Sequence, residues 1–497
     1  MLKRHTFFQA FSIVALITLF SKLLGFIREA IIAAYFGTSI AADMFYVALI
    51  IPSTAFTIIA STIQGRVLPL YIEKKESTAG GRKLLQSFSQ LFIFVSIILI
   101  GLLVVTMPIL VNVMAPGFEE NEISETIRLA LIMLPLLLMM TITAITRVVY
   151  HAHESFGIPA YGPLLNNIVV ITIIILLYTF SGVYALALGV LIGGLIQLMY
   201  QFLFLPDKKV IFFSWDRKNF KQSLELIKPM IPIIIAAIAL QLNVIVDRMV
   251  ASFLEQGSIA ALNYSYRLLW IPLSILLMPI TTIFYPKLSI AHQEKVKDTY
   301  KKLFNNGFFV ILLFAVPIMI IMLIESESLV RLIFERGAFD YEATILTKGA
   351  LFFYSLGLIF FATREYFAQH FYITKQYRVI MFGSIYGVLI NIVGSIILAQ
   401  IIGINGIAFA TSLSMLFQSF YYYRYISNKG KIFMGGTTLK TCIAFAVILI
   451  ITFFTQTLYD ELHYFFSILI TTLIVITLFY LIMKKDIGLA IKQMKGK

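Results

Sequence analysis

Long, nearly uncharged apolar segments recur along the whole chain, and they constrain the fold more than any other feature. Apolar residues make up 60% of the 497 residues and charged residues only 13%, whereas soluble domains average roughly 45–50% and ~25%. Many segments reach the ~20 residues that a helix needs to cross a bilayer. This composition excludes a set of soluble domains and a disordered chain. A transmembrane barrel would show short alternating segments instead.

The sequence therefore predicts an all-α polytopic membrane protein with about fourteen transmembrane helices. Each segment is predicted to be helical, because lipid offers backbone polar groups no hydrogen bonds and a helix satisfies them within one segment. The predicted spans are residues 8–35, 40–70, 84–114, 124–150, 159–179, 184–205, 222–251, 259–288, 300–324, 341–370, 379–400, 405–425, 437–458 and 463–483.

The basic residues predict the orientation. With the N-terminus in the cytoplasm, most of the 39 Lys and Arg fall in cytoplasmic loops, as the positive-inside rule requires. Those in the outer loops are Arg128, Arg331, Arg336 and Lys348. We expect both termini to be cytoplasmic. The net charge of +14 then predicts contact with anionic lipid head groups and not with nucleic acid.

An internal repeat predicts two related lobes. The second and eighth spans open alike, with Ser-Ile-Ala-Ala at 39–42 and at 258–261, and Pro52 and Pro272 follow at nearly equal distances. The six-span offset keeps the same orientation, which indicates a parallel repeat around a central cavity; chance similarity between apolar strings is the alternative. Both prolines are predicted hinges, because each removes a helical hydrogen bond. The predicted divisions are a lobe at 1–221, a lobe at 222–436, and two additional helices with a cytoplasmic tail at 437–497.

Ionisable residues inside the predicted spans concentrate on the helices that would line this cavity. The bases are Lys22, Arg28, Arg66, Arg248 and Arg267, and the acids are Glu29, Asp43 and Asp247. Intramembrane charges are costly and usually face a wet cavity or a partner. An excess of cations favours an anionic cargo, and arginine matches phosphate oxygens bidentately. We predict that Lys22, Arg28, Arg66 and Arg267 bind a diphosphate, with Asp43 and Glu29 as cavity acids. The alternative is internal ion pairing, such as Arg28 with Asp43. Asn166 and Asn167 are expected to bond across helices.

Several stretches together resemble one known family. They read SKLLGFIRE at 21–29, ADMFYVA at 42–48, GPLLNN at 162–167, LGVLIGGLIQ at 188–197, NYSYRL at 263–268 and FERGAFD at 334–340. In these stretches, and over nearly its whole length, the chain resembles the MurJ (MviN) lipid II flippases of the MOP (multidrug/oligosaccharidyl-lipid/polysaccharide) exporter superfamily.

The resemblance implies a multi-pass transporter of the bacterial plasma membrane and not an enzyme. It would carry a polyprenyl-diphosphate-linked cell-wall precursor, lipid II, from the cytoplasmic to the outer leaflet by alternating access, for peptidoglycan synthesis and cell shape. The cavity cations of the family map onto Lys22, Arg28 and Arg267, and its cavity aspartate maps onto Asp43. We expect a monomer that works near the cell-wall synthesis machinery.

The sequence departs from the family pattern on the second span. Members often carry an arginine where this chain has Phe56, and Arg66 is the candidate replacement.

Some relatives bind Na⁺ in the second lobe, and the resemblance implies a weak site of the same kind. The corresponding residues are Asp247, Asn391, Ser395 and Thr411. Oxygen ligands suit a hard cation, but a serine replaces the second acid, so hydrogen-bonded helix packing is the alternative. We expect no other cofactor. Na⁺ or the membrane potential, which is worth ~2.3 kcal/mol per charge per 100 mV, would drive the cycle.

Three other functions stay open at this point. A flippase for an exopolysaccharide or teichoic-type precursor would show the same pattern. A membrane glycosyltransferase or polymerase would need outer acidic residues, for which residues 119–122 are the available cluster. A drug or cation exporter would need an acidic or apolar cavity instead of a cationic one.

Overall fold

A computed structural model gives the architecture of the chain. It describes residues 7–63, 67–74, 78–208, 224–226, 231–430, 436–456 and 463–494. Within these ranges the secondary structure is helical, and β pairing is limited to an isolated bridge between Arg336 and Phe339. The predicted all-α class is confirmed.

The described chain divides into two compact units, Met1–Ala260 and Ala261–Lys497. Helices that begin in the first unit are α1 (Phe7–Phe36), α2 (Ile40–Thr62), α3 (Leu68–Lys74), α4 (Thr78–Met114), α5 (Glu120–Met133), α6 (Leu136–Ala152), α7 (Gly157–Ser181), α8 (Tyr184–Leu203), α9 (Ile231–Ala251) and α10 (Ser258–Pro272). The second unit continues from α10 with a π-helical turn (Leu273–Leu277), α11 (Met278–Gln293), α12 (Lys297–Ile324), α13 (Ser326–Phe334), α14 (Tyr341–Ser355), α15 (Leu358–Ile373), α16 (Tyr377–Ile402), α17 (Ile404–Gly430), α18 (Gly436–Gln456) and α19 (Tyr464–Met494). The lobe boundaries predicted at 221 and 436 stay a prediction.

Each of the fourteen predicted spans overlaps a helix of the described residues. Among the described residues, nine continuous helical stretches are long and apolar enough to cross a bilayer, and the bent pair α14–α15 makes a tenth. The other four spans are α1, α9, α17 and α18, helices of 21 to 30 residues. A polytopic membrane protein is therefore confirmed, while the cytoplasmic placement of the termini stays a prediction.

Several turns between spans share one backbone geometry, and the predicted six-span repeat stays a prediction. Glu154 precedes the fifth span and Lys375 precedes the eleventh, and both adopt a left-handed backbone conformation, with φ of 54° and 57°. In each case the next residue donates its N–H to the carbonyl five residues back, from Ser155 to Tyr150 and from Gln376 to Phe371. This is the Schellman pattern that ends a helix. Lys295, before the ninth span, ends its helix in the same way, with φ of 59° and a bond from the Val296 N–H to the Ala291 carbonyl, so these turns do not single out the six-span offset.

Apolar side chains hold each unit together internally. In the first unit a buried cluster joins α2, α3, α4 and α6, with Phe88 and Tyr150 among its large members. In the second unit α12, α18 and α19 share a cluster that includes Ile320, Ile448 and Val475. Because lipid tails are as apolar as these side chains, close packing is the main source of stability here. These clusters fix the helices that carry the polar residues described next.

Candidate transport site

Arg28 lies in the C-terminal third of α1 and is held by two partners. Its Nη2 donates to Glu29 Oε1 at 2.6 Å, and its Nη1 donates to Asn167 Oδ1 on α7 at 3.1 Å. The Asn167 Nδ2 also donates to the carbonyl of Ser21 at 3.2 Å. The predicted bonding of Asn167 across helices is therefore confirmed. Arg28 cannot turn freely, because one amide fixes both its guanidinium and the backbone of its own helix.

Glu29 is the buried acid of this cluster. Its side chain is 3% exposed, and its Oε2 accepts a hydrogen bond from the Tyr46 hydroxyl on α2 at 2.9 Å. Arg28 thus pairs with Glu29 and not with Asp43. Neighbouring positions on a helix point about 100° apart, and the long arginine side chain spans that angle. Arg28 also keeps a buried Nε without a hydrogen-bond partner among the described residues.

Asp43 joins α2 to the start of α10. The residue is 3% exposed. Its Oδ1 accepts from the Ala260 N–H at 2.6 Å and its Oδ2 accepts from the Gly257 N–H at 2.8 Å. The first N–H groups of a helix have no partner within the helix, and a carboxylate there also meets the positive end of the helix dipole. Asp43 therefore stabilises this helix start, and its predicted role as a cavity acid stays a prediction.

Two glycines allow the backbone to approach closely around Asp43. Gly257 has φ of 86°, and a Cβ there would lie 1.9 Å from the Thr38 carbonyl oxygen. A Cβ on Gly117 would lie 1.9 Å from the Ser252 carbonyl oxygen, and the Gly117 N–H donates to Ser252 Oγ at 3.2 Å. Only glycine fits either contact. We call Asp43, Gly117, Ser252, Gly257 and Ala260 the Asp43 seam.

A further polar contact links α2 to α9 deeper in the same unit. Thr54 Oγ1 donates to Gln241 Oε1 at 3.1 Å, eleven residues along α2 from Asp43. The α2 helix is thus joined by side-chain hydrogen bonds to the segment 241–260 at two depths. This segment was predicted to belong to the second lobe, and the structure packs it against α2.

The other predicted diphosphate ligands are placed differently from Arg28. Lys22 lies six residues earlier on α1 and is exposed, and Arg267 is exposed on α10 in the second unit. Arg66 lies outside the described residues. Of the four predicted cations, Arg28 is the one paired with Glu29. Their joint role stays a prediction.

The two predicted hinges differ in structure. Pro52 lies inside α2, which runs through it without interruption. Pro272 ends α10 and is followed directly by the π-helical turn Leu273–Leu277. Such turns often mark functional positions in helices. A hinge at either position stays a prediction, and the turn after Pro272 gives that position structural support.

The predicted Na⁺ ligands are divided between the units. Asp247 is buried on α9, and Asn391 and Ser395 are fully buried on α16. Asn391 Nδ2 donates to Thr411 Oγ1 on α17 at 2.9 Å, which is the helix-packing bond expected as the alternative. No group of three or more His, Cys, Asp or Glu that could hold a metal occurs in the part of the chain that the structure describes. The Na⁺ site stays a prediction.

Tyr46, Gly257 and Ser252 did not emerge from the sequence as site residues. Tyr46 lies one turn after Asp43, and Gly257 immediately precedes the repeated Ser-Ile-Ala-Ala of α10. Their importance comes from tertiary contacts that no local pattern encodes. The position of Gly257 beside the repeat was the available signal, since a glycine before a helix often marks a close approach.

Comparison with known proteins identifies the family. Residues 32–489 match the family described as "Lipid II flippase MurJ". A probable lipid II flippase MurJ of Buchnera aphidicola subsp. Acyrthosiphon pisum is 29% identical over 390 residues, covering 76% of this chain and 75% of the relative. The lipid II flippase MurJ of Burkholderia cenocepacia is 27% identical, covering 75% and 74%.

Solved structures show the same fold. A lipid II flippase MurJ in an inward closed conformation superimposes with a TM-score of 0.84 at 23% identity, covering 95% of this chain and 99% of that one. An inward-facing MATE-family transporter of the MOP superfamily matches with a TM-score of 0.69 at 11% identity, covering 83% and 94%. The chain is a multi-pass protein of the bacterial inner membrane and belongs to the MurJ family of lipid II flippases.

Proposed function

We propose that this chain carries lipid II from the cytoplasmic to the outer leaflet of the plasma membrane by alternating access. The observation that carries the proposal is the family match over residues 32–489, together with an arginine fixed between two intramembrane helices. No covalent bond is made or broken in this process, so the chain acts as a transporter and not as an enzyme. One copy of the chain supplies all the residues named, and we propose that it works as a monomer.

Arg28 is the residue best prepared to meet the diphosphate. Glu29 and Asn167 hold its guanidinium in one orientation, which lowers the entropy lost when it binds an anion. Its Nε–H has no acceptor in the part of the chain that the structure describes. A diphosphate cannot enter a low-dielectric interior without compensation of its charge. In this proposal Lys22 and Arg267 supply further positive charge, while the polyprenyl tail stays in lipid.

The Asp43 seam is the closed gate of the proposed cycle. Both oxygens of the Asp43 carboxylate accept backbone N–H groups, and hydrogen bonds to a charged group contribute about 1.5–3 kcal/mol each. Opening at this point must replace those bonds with water or with other contacts. Cargo binding, an ion or the membrane potential would offset that cost. Na⁺ at Asp247, Asn391, Ser395 and Thr411 is the ion site we propose for this role.

Flipping of labelled lipid II in reconstituted vesicles tests the proposal. We expect Arg28→Ala to lower the initial rate roughly tenfold to a hundredfold, because a charge-assisted pair contributes about 1.5–3 kcal/mol. Arg28→Lys should restore only part of the rate, since an ammonium lacks the planar fork of arginine. Asn167→Ala should give an intermediate loss, because it frees the guanidinium without removing its charge.

Arg128→Ala is the matched control. Arg128 is an exposed arginine that pairs with Glu125 at 2.7 Å, so its loss should leave flipping unchanged. Wild-type flipping by the Arg28→Ala protein would contradict the assignment of Arg28. Transport of a lipid-linked teichoic or exopolysaccharide precursor in preference to lipid II would keep the mechanism and change the cargo.

A further inference from the structure

A buried carboxyl group in the second unit takes no part in the proposed transport site. Glu325 connects α12 to α13 and is fully buried. Its Oε1 accepts hydrogen bonds from two hydroxyls of α19, those of Ser467 at 2.8 Å and of Thr471. The two hydroxyls lie four residues apart, so one face of α19 presents both of them to the same carboxylate oxygen.

The second oxygen of this carboxylate has no partner. Glu325 Oε2 is buried and makes no hydrogen bond among the described residues. The basic groups nearby are already paired with other acids. Glu327 pairs with Arg331 at 2.9 Å and with Lys348, and Arg331 Nε lies 3.4 Å from Glu335 Oε2. No described ion pair includes Glu325, so its charge is uncompensated.

Such a group needs a ligand that brings positive charge. A buried unpaired charge is costly, and two hydroxyl donors on one oxygen suit an oxygen that carries negative charge. A water molecule would satisfy Oε2 but would leave the charge. A proton on Oε2 would cancel the charge but would leave its own O–H without an acceptor. A monovalent cation does both, because it takes Oε2 as a ligand and neutralises the carboxylate.

We propose that Glu325, Ser467 and Thr471 form a binding site for a small monovalent cation, of which Na⁺ is the physiological candidate. The ligands are all oxygens, as hard cations prefer. A single carboxylate balances a single positive charge, whereas Ca²⁺ takes 6–8 oxygen ligands. The site is separate from Asp247, Asn391, Ser395 and Thr411, and it does not depend on the identity of the cargo.

A cavity in the same unit provides a route to this site. Its volume is about 600 Å³, and Ser467, one of the two hydroxyl donors to Glu325, forms part of its wall. Ser326 and Tyr464 line it as well, together with the paired charges of Glu327, Arg331 and Lys348. A hydrated cation in this space would be one side chain away from Glu325.

The bound cation would connect two parts of the second unit. Glu325 belongs to the elbow between α12 and α13, and both hydroxyls belong to α19. Without the cation this junction contains a bare buried charge. With the cation bound, the same residues hold α19 against the turn between α12 and α13. The cation should therefore stabilise the folded protein.

The test is thermal unfolding of the purified full-length protein in detergent, at fixed pH and ionic strength. Replacement of N-methyl-D-glucamine by Na⁺ should raise the unfolding midpoint with saturation, since a ligand that binds only the folded state stabilises it by mass action. Asp247→Asn should leave part of the Na⁺-dependent rise of the unfolding midpoint in place. Glu325→Gln should abolish that remaining part. Ser467→Ala should shift the half-saturating Na⁺ concentration upward roughly tenfold. Direct binding of ²²Na⁺ should fall by one equivalent in Glu325→Gln.

Glu342→Gln is the matched control, because Glu342 is an exposed glutamate of the same unit and should behave as wild type. A full Na⁺ response in Glu325→Gln, or its complete loss in Asp247→Asn alone, would overturn the proposal. A midpoint that follows pH but ignores Na⁺ would overturn it in favour of a proton. If Glu325→Gln does not fold, unchanged Na⁺ affinity in Ser467→Ala and Thr471→Val would overturn it equally.

Discussion

Asp43 in the first unit and Glu325 in the second are both buried carboxylates, but their partners differ. Each oxygen of Asp43 accepts one backbone N–H, from Gly257 and from Ala260. Glu325 accepts two hydroxyls on one oxygen, and its other oxygen has no partner within the described ranges. Both oxygens of Asp43 are thus hydrogen-bonded without a ligand, whereas Glu325 Oε2 still needs a partner. Asp43 is therefore a contact between helices, whereas Glu325 is a candidate binding site.

The difference also concerns what each acid can release. Backbone N–H groups cannot diffuse away, so the Asp43 bonds break only if chain segments separate. A cation at Glu325 could exchange through the cavity beside Ser467 while the helices stay in place. The Asp43 hydrogen bonds should therefore change with the conformation of the chain. Cation occupancy at Glu325 should change with the cation concentration around the protein.

The largest expected effect is from Asp43→Asn. The amide would place its NH₂ group against one of the two N–H donors, which costs about 3 kcal/mol in lost and opposed bonds. The closed seam should then open about a hundredfold more often. Ser258→Cys is a suitable reporter, because the serine is fully buried and its hydroxyl has no hydrogen-bond partner in the described structure. With Cys442, the single native cysteine of the sequence, replaced, labelling of the new thiol by a polar maleimide should be correspondingly faster.

Asp207→Asn is the control for that prediction, because Asp207 pairs with Arg82 at an exposed site. Equal labelling in Asp43→Asn and Asp207→Asn would show that Asp43 does not keep the seam closed. The proposed difference between Asp43 and Glu325 would then be wrong.

A smaller but still large effect is expected from Gly257→Ala. The new methyl group would collide with the Thr38 carbonyl and would also require a positive φ from alanine. Strain and overpacking of this kind cost about 1–3 kcal/mol each, so the thermal midpoint should fall in the presence and absence of Na⁺ alike. Gly101→Ala is the control, since nothing lies within 4 Å of its Cβ position. A midpoint equal to that of Gly101→Ala would contradict the close approach.

The smallest expected effect is from Tyr46→Phe. This change removes the hydroxyl that donates to Glu29 and should cost about 1–2 kcal/mol of stability. Arg28 keeps its bonds to Glu29 and Asn167, so flipping should fall by less than in Arg28→Ala. Tyr480→Phe, at an exposed tyrosine, serves for comparison. A loss of flipping as large as that of Arg28→Ala would mean that Tyr46 itself takes part in transport.

The sequence predicted the helices well because each crossing must be long and apolar, and that requirement is local. It also placed Arg28, Glu29 and Asp43 among the polar residues that matter. It could not assign their partners. The Asp43 contacts depend on Gly257, which lies 214 residues away, and Glu325 meets α19 after 142 residues. Such contacts come from packing between distant segments, which apolar periodicity does not encode.

The π-helical turn after Pro272 has a consequence for any movement of the second unit. A π turn holds one more residue than the α-helical turn it replaces. Relaxation of Leu273–Leu277 to ordinary α-helical geometry would rotate α11 by about 100° and advance it by ~1.5 Å. The helix would then remain helical and would present a different row of side chains to its neighbours.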